Sequence, residues 1–336
     1  MQQAHGMFGD GTLAQPERAR LMRRAGYASV GAALLLIGAK VGAYLLTGSV
    51  ALLSSMLDSL LDAGASLVNL YAISHSLTPA DREHRFGHGK AEPLAALGQA
   101  AFIAGSAAFL AFQAIGRLVT PVPVEHGEIG IAVMVFSIAT TLVLVLYQRH
   151  VIRRTGSFAV RADSLHYVGD LFVNISVIVA LLLAVWWGWN AADPLFAIGI
   201  AAYILFTAWQ IFRSALDMLM DRELPDEMRA KIRAIALANP RVKSVHDLRT
   251  RAAGQAIFVQ MHLEMDADLP LRIAHEAADA VEVAVMTAFP GADVIIHDDP
   301  AGVEEVRKPF ERPAAAQGRY RGLDTYQRDS RSLVIY

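Results

Sequence analysis

The sequence predicts a polytopic α-helical membrane protein with six transmembrane helices and a C-terminal cytoplasmic α+β domain. Three observations support this fold class. Hydrophobic residues make up 54% of the 336 residues, and the mean hydropathy is +0.36. Long uncharged runs fill the chain up to about residue 220, and charged residues gather in short clusters and in the last third. Apolar runs of about 20 residues are long enough to cross a bilayer as helices.

The six spans are predicted near residues 25–46, 50–76, 93–119, 128–149, 158–187 and 194–218. Arginine and lysine set their orientation, because short loops rich in these residues stay in the cytoplasm. Basic residues precede the first span and separate the second span from the third and the fourth from the fifth. The alternate loops, at 47–49, 120–127 and 188–193, contain none. The sequence therefore predicts a multi-pass protein with both termini in the cytoplasm.

Four segments follow from this pattern. Residues 1–24 lack an apolar core, so we expect a cytoplasmic N-terminal segment and no cleaved signal peptide. The transmembrane domain is predicted over 25–220 and a cytoplasmic domain over 221–300. Residues 301–336 are polar and rich in arginine, so we expect a largely disordered tail.

The cytoplasmic domain is predicted to follow the order α-β-β-α-β. Amphipathic patterns predict helices over 225–238 and 271–289. Strands are predicted over 245–251, 256–265 and 292–297, and the second of these alternates apolar and polar residues with a clean period of two. This order is typical of a small α+β sandwich.

Composition excludes several classes of protein. The net charge of -2 gives no indication of a nucleic-acid partner. The chain has no cysteine, so disulfides, thiolate metal sites and cysteine nucleophiles are all excluded. Any metal must therefore be held by histidine, carboxylate or carbonyl oxygen.

Two pairs of polar residues interrupt the apolar spans. Asp58 and Asp62 in the second span, and His166 and Asp170 in the fifth, are each spaced i and i+4. Each pair therefore shares one helix face. If the two helices face each other, the four side chains form a tetrahedral cage suited to Zn²⁺ first, with Fe²⁺, Co²⁺, Cd²⁺ and Mn²⁺ as alternatives. We expect no other acid deep in the bilayer.

Other interpretations of these pairs stay open. Asp58 and Asp62 are also compatible with solvation near a helix end. The four residues together are compatible with a structural polar cluster or a proton relay that binds no metal.

Two further groups of histidines and acids lie outside the spans. In the loop after the second span, Asp81, His84 and His88 can converge on one ion, although histidines in such loops are often merely solvated. In the C-terminal domain, the candidate ligands are four histidines and one aspartate, where isolated surface histidines are the alternative: His246, His262, His275, His297 and Asp299.

These residues carry a family resemblance. The runs LDSLLDAGASLVNL, PADREHRFGHGKAEPLAAL, HYVGD, VHDLRTR and DVIIHDDP resemble the cation diffusion facilitator family, in particular its bacterial zinc and iron efflux branch. The resemblance covers roughly residues 20–300. It implies a homodimer in the inner membrane of a bacterium, with metallochaperone-like cytoplasmic domains, which exports divalent metal in exchange for protons.

The resemblance also assigns roles to single positions. The family's transport site falls on Asp58, Asp62, His166 and Asp170. Its inner-loop site falls on Asp81, His84 and His88. Its binuclear cytoplasmic site falls on His246, His262, His275, His297 and Asp299. A salt bridge that joins the membrane and cytoplasmic domains would match Lys90 and Asp221.

The energy source is predicted from two features: the sequence lacks a phosphate-binding loop, and protons and metal can bind the same side chains. The sequence has no GxxxxGK[ST] loop, so ATP-driven pumping by this chain is not expected. Protons and metal compete for neutral His166 and for ionised aspartates, which predicts metal/proton antiport with Zn²⁺ as substrate and as regulatory ligand. The expected partners are a second copy of the chain, membrane lipid, divalent metal ions and protons.

Two other classes of membrane protein compete with an antiporter. An intramembrane metalloenzyme is disfavoured, since the sequence has no HExxH and no GxSxG motif, and we predict that the protein is not an enzyme. A membrane metal sensor or scaffold without net transport is the alternative that stays open.

Overall fold

The structure is a computed structural model that describes residues 14–47, 50–119, 128–187, 189 and 191–302. Most of the predicted N-terminal segment, the loop 120–127 and the predicted tail from residue 303 lie outside the described residues.

The N-terminal two thirds of the described chain consist of long helices. They are α1 (Gln15–Thr47), α2 (Val50–Ser76), α3 (Ala91–Val119), α4 (Glu128–Thr155), α5 (Phe158–Trp187) and α6 (Ala192–Leu219). By length and composition, α1, α3, α4 and α6 are each apolar enough to cross a membrane. The helical membrane architecture is therefore confirmed. The number of six spans stays a prediction, because the described residues of α2 and α5 do not meet the same criterion of length and hydropathy.

A tight turn joins α4 to α5. Gly156 has a φ of +68°, and its backbone N–H donates to the carbonyl of Ile152 at 2.8 Å. Glycine adopts this left-handed conformation without a Cβ clash and commonly ends a helix. Only two residues separate the helices, so α4 and α5 pack against each other over much of their length.

The helices pack in two groups. α3 packs mainly against α6, and α1 packs against α2 and α4. α5 contacts α4, α6 and α3, and it also reaches α2. The second and fifth helices of the bundle therefore meet, which is the arrangement that a shared site on both requires.

The C-terminal domain has the predicted α-β-β-α-β order. Its elements are α7 (Asp226–Leu237), β1 (Ser244–Ala253), β2 (Ala256–Met265), α8 (Leu271–Ala288) and β3 (Ala292–Pro300). β2 is the central strand, antiparallel to β1 and parallel to β3. β3 continues three residues beyond its predicted end at residue 297, because Leu263, Glu264 and Met265 of β2 pair with its last residues.

One face of the sheet forms the core of this domain. Val259, Met261 and Leu263 of β2 are at most 1% exposed and pack with buried residues of both helices, such as Ile232 and Val281. Burying a side chain of this size contributes about 1.5–3 kcal/mol. Because strand residues alternate between faces, the residues between them, including His262, lie on the opposite face.

A β-bulge interrupts β1. His246 pairs with His262, but the next regular partner pair is Arg249 with Gln260, so β1 contains one extra residue. Asp247 inside the bulge has a φ of +48°. The extra residue places Arg251, which pairs with Phe258, on the same face of the sheet as His246.

The turn between β1 and β2 packs against the loop before α3. A Cβ added to Gly89 would lie 2.1 Å from the carbonyl oxygen of Ala253, so only glycine permits this approach. Beside it, the guanidinium of Arg251 lies 5.0 Å from the ring centroid of Phe86 and 4.3 Å from that of Phe258. The sheet therefore contacts the loop between α2 and α3, the membrane-side loop, through the cation–π contacts of Arg251.

Candidate metal centres

The intramembrane candidates meet between α2 and α5. His166 Nε2 lies 2.9 Å from Asp62 Oδ1 and 3.7 Å from Asp170 Oδ2. One possible ligand atom from each of the three residues lies within 4.8 Å of the other two. The His166 side chain is 8% exposed, and those of Asp62 and Asp170 are 23% and 39% exposed. An imidazole and two carboxylates from two helices therefore face one point.

Asp58, the fourth predicted ligand, lies on α2 one turn before Asp62. Its side chain is outside the part of the structure that is described. The geometry thus brings together three of the four predicted residues, and their assignment as metal ligands stays a prediction.

A further acid, which the ligand set does not include, lies one turn from His166. Asp163 on α5 is 1% exposed. Its Oδ2 accepts hydrogen bonds from Ser29 Oγ at 2.5 Å and Gln148 Nε2 at 2.7 Å. Its Oδ1 accepts one from Ser66 Oγ at 3.5 Å. The Tyr167 hydroxyl contacts Ser66 Oγ at 3.0 Å and the carbonyl oxygen of Ser29 at 3.2 Å.

This network offsets the cost of its own carboxylate. Burying a carboxyl group among apolar helices is costly unless it is hydrogen-bonded, and each donor that reaches Asp163 offsets part of that cost. Several such bonds are enough to retain the residue. The signal available in the sequence was the presence of Ser29, Ser66 and Gln148 within otherwise apolar runs.

The loop candidates also converge. Asp81 Oδ1 lies 3.4 Å from His84 Nδ1, and Asp81 Oδ2 lies 3.4 Å from His88 Nε2. The backbone N–H of His84 donates to Asp81 at 2.6 Å. This hydrogen bond, a second one from Glu83 and the nearby imidazoles outweigh desolvation and hold the pKa of Asp81 below its usual value. Asp81 is therefore an ionised carboxylate at neutral pH, placed between two histidines.

The sheet aligns three of the C-terminal histidines. His246, His262 and His297 occupy one register row across β1, β2 and β3, on the face away from the helices. Asp299 is 5% exposed and touches all three. Its Oδ2 lies 2.8 Å from His262 Nδ1 and 3.2 Å from His246 Nε2, and its Oδ1 lies 3.2 Å from His297 Nε2. One carboxylate thus bridges three imidazoles.

His275 lies apart from this row. It is on α8, its side chain is 70% exposed, and its Nε2 lies 3.6 Å from Asp279 Oδ2. α8 packs on the other face of the sheet through residues such as Val281 and Val285. The structure therefore does not bring His275 into the cluster around Asp299 within the single chain.

Asp221 forms ion pairs with residues of both domains. It follows α6, and its Oδ1 lies 2.9 Å from Lys90 Nζ before α3 and 3.3 Å from Arg251 Nη1 on β1. Partial burial acts to raise the pKa of Asp221, but the hydrogen bonds and charges of Lys90 and Arg251 outweigh it and lower the pKa below its usual value. The pair predicted for Lys90 is thus present in the geometry, and Arg251 is an additional partner. That the pair of Lys90 and Asp221 locks the two domains together stays a prediction.

The fold is that of a helical membrane protein with a C-terminal α+β domain, and each part carries a cluster of histidine and aspartate side chains. Residues 27–220 match the family described as the cation efflux transmembrane domain. Residues 224–301 match the cytoplasmic domain of cation efflux proteins. The chain belongs to the cation efflux family, whose members include the cation diffusion facilitators, and it is a membrane cation transporter and not an enzyme.

Three curated relatives extend this likeness over most of the chain. The cation-efflux pump FieF of Klebsiella pneumoniae subsp. pneumoniae is 49% identical over 299 residues, which cover 89% of this chain and 97% of the relative. The FieF pumps of Citrobacter koseri and Shigella flexneri serotype 5b are each 50% identical over 284 residues, which cover 84% of this chain and 94% of each relative.

The ion pairs of Asp221 generate a prediction. Asp221→Asn should loosen the β1–β2 turn from the loop before α3, seen as faster hydrogen exchange of the turn amides. Because the pKa of Asp221 is lowered on folding, its contribution is fully present above about pH 4 and is lost as pH falls through the lower, folded-state pKa. Wild-type exchange protection, after correction for intrinsic rates, should therefore hold from pH 8 to about 4.5.

The matched control is Asp217→Asn. Asp217 pairs with Arg222 in the same segment, but this pair does not reach the sheet. Equal protection of the turn in wild type and Asp221→Asn would show that these ion pairs do not hold the domains together.

Proposed function

We propose that the protein is a divalent metal/proton antiporter that exports Zn²⁺ from the cytoplasm by alternating access. The observation that carries this proposal is the meeting of Asp62, His166 and Asp170 between two helices of a cation efflux protein. Asp58 is proposed as the fourth ligand, which completes a tetrahedral site of three aspartates and one histidine. Fe²⁺, Cd²⁺, Co²⁺ and Mn²⁺ are the other candidate substrates.

Ligand spacing supports a small, tetrahedral ion. With Zn–N and Zn–O bonds of about 2.0–2.2 Å, neighbouring ligand atoms of a tetrahedral site lie about 3.3–3.6 Å apart. The two distances from His166, 2.9 Å to Asp62 and 3.7 Å to Asp170, lie on either side of this range. A shift of a few tenths of an ångström would let an ion replace the hydrogen bond between His166 Nε2 and Asp62 Oδ1.

Charge balance supports the same ion class. Asp58, Asp62 and Asp170 carry three negative charges when ionised beside a neutral His166, and one divalent cation offsets two of them. Such compensation matters within a bilayer, because an uncompensated charge there is costly. Protons can restore the balance after the metal leaves, which supports exchange of metal for protons at this site.

The loop cluster of Asp81, His84 and His88 is proposed as a second metal site at the cytoplasmic side. Its distances of 3.4 Å between carboxylate oxygens and ring nitrogens suit one tetrahedral ion. The exposed Asp81 and His84 are accessible to ions from solution. This placement assumes that both termini are cytoplasmic and that the protein lies in the inner membrane of a bacterium.

The C-terminal cluster is proposed to sense cytoplasmic metal in a homodimer. Phe258 and His262 lie on the same face of β2, so the strand that carries a candidate ligand also carries the ring that stacks with Arg251 and Phe86. A metal ion held around Asp299 would therefore act on the strand that contacts the membrane-side loop. Such regulation requires that metal bind two arrangements of the domains with different affinity.

The transport proposal predicts metal flux that depends on Asp62. Wild type in proteoliposomes with an internal metal dye and an imposed pH gradient should move zinc, with iron, cadmium and manganese as comparisons. Asp62→Ala should reduce this flux at least about tenfold. Asp217→Asn is the control and should retain the flux, because Asp217 lies outside all three clusters. Absence of flux for every metal, with metal binding intact, would instead favour a membrane sensor or scaffold.

Proton coupling predicts a role for His166 in the pH profile. Protons and metal compete for the ring nitrogen of His166, so His166→Ala should flatten the pH dependence of residual zinc flux. His150→Ala, at an exposed histidine near the end of α4, is the control. Intact flux with an unaltered pH profile in His166→Ala would contradict this assignment.

Sensing predicts unequal effects of two histidines. His262→Ala should weaken the activation of transport by metal, seen as a higher zinc concentration for half-maximal rate, because His262 touches Asp299. His275→Ala should have a smaller effect, since His275 lies outside that cluster in the single chain. If His262→Ala left both the zinc dependence and the maximal rate unchanged, a structural role for the cluster would be preferred.

A further inference from the structure

We propose that Asp163 is a positioning residue for the intramembrane site, which sets the separation of α2 and α5 through its hydrogen-bond network. The proposal rests on the transport function proposed above. It adds a residue outside the ligand set, because Asp163 is not part of the group formed by Asp62, His166 and Asp170.

The network forms a second level of contact beside the metal ligands. On α2, Ser66 lies four residues after Asp62, and on α5, Asp163 lies three residues before His166. Residues at these spacings share a helix face, and α2 and α5 run in opposite directions. The Ser66 contact with Asp163 therefore lies one turn from the contact between Asp62 and His166, on the same helix faces. Ser66 also contacts the hydroxyl of Tyr167, the residue after His166.

The same carboxylate also ties α5 to two other helices. Ser29 belongs to α1 and Gln148 to α4, and both donate to Asp163 Oδ2. Gln148 Nε2 also contacts Ser29 Oγ at 2.9 Å. Asp163 is thus a point where four helices meet, and both of its oxygens already accept hydrogen bonds from neutral groups. Because both oxygens already accept hydrogen bonds, Asp163 is better suited to position the ligands than to bind the ion itself.

The spacing of α2 and α5 bears directly on which ion is bound. Asp62 is on one helix and His166 on the other, so a change in the separation of the helices changes every ligand distance across the site. Zinc requires short bonds of about 2.0–2.2 Å, whereas the larger Cd²⁺ tolerates longer ones. Loss of the network should therefore weaken zinc binding more than cadmium binding.

The test compares substitutions that remove different parts of the network. Ser66→Ala removes the contacts that Ser66 of α2 makes with Asp163 and Tyr167, and Asp163→Ala removes the centre of the network. Asp163→Asn keeps the shape and an acceptor oxygen. Ser137→Ala is the matched control. Ser137 lies in α4 and is buried like Ser66, but its Oγ has no hydrogen-bond partner among the described residues.

The measurements are zinc and cadmium flux in proteoliposomes and equilibrium binding of both ions to the detergent-solubilised full chain. Ser66→Ala should raise the half-saturating zinc concentration about fivefold, with a smaller rise for cadmium. Asp163→Ala should raise it further, and Asp163→Asn should recover much of the loss. Ser137→Ala should match wild type.

Wild-type zinc and cadmium dependence in Ser66→Ala would overturn the proposal, and so would equal weakening of both ions. If Asp163→Ala does not fold, Ser66→Ala and Asp163→Asn decide the question. The binding measurement separates this proposal from the transport function, because wild type that binds zinc without flux refutes transport while the shift in selectivity still tests Asp163.

Discussion

A carboxylate among apolar helices has to be compensated, and the bundle does this in two different ways. Asp163 is surrounded by neutral donors on both oxygens, so its requirement is met by the protein alone. Asp62 and Asp170 have one imidazole between them and are partly exposed. The first arrangement gives a permanent structural contact, and the second leaves a site whose charge an ion from outside can complete.

The three clusters use the same pair of residue types in different proportions. In the loop and on the sheet, one carboxylate lies between two or three imidazoles: Asp81 between His84 and His88, and Asp299 among the histidine row. Within the helices the proportion is reversed, with one imidazole between two carboxylates. A bound divalent ion would leave an excess positive charge on the loop and sheet clusters, which water can stabilise, whereas the carboxylates within the helices would offset the charge of the ion in the bilayer.

Local spacing accounts for what the sequence could predict. His166 and Asp170 share a helix face because of their separation along the chain, and alternation along β2 predicts that His262 faces away from the core. Local spacing does not reveal the role of Asp163, because its donors Ser29 and Gln148 belong to other helices, 134 and 15 residues away along the chain. The row of three histidines was equally hidden, since strand register depends on pairing and on the bulge in β1.

The bulge in β1 also limits how this domain can change in evolution. His246 and Arg251 are five positions apart, and residues at an odd separation along a regular strand face opposite sides. The single extra residue reverses this parity, so both side chains share one face. Loss or gain of one residue between them would send either the histidine or the guanidinium to the wrong side. The segment can therefore accept substitutions over evolutionary time, but its length is fixed.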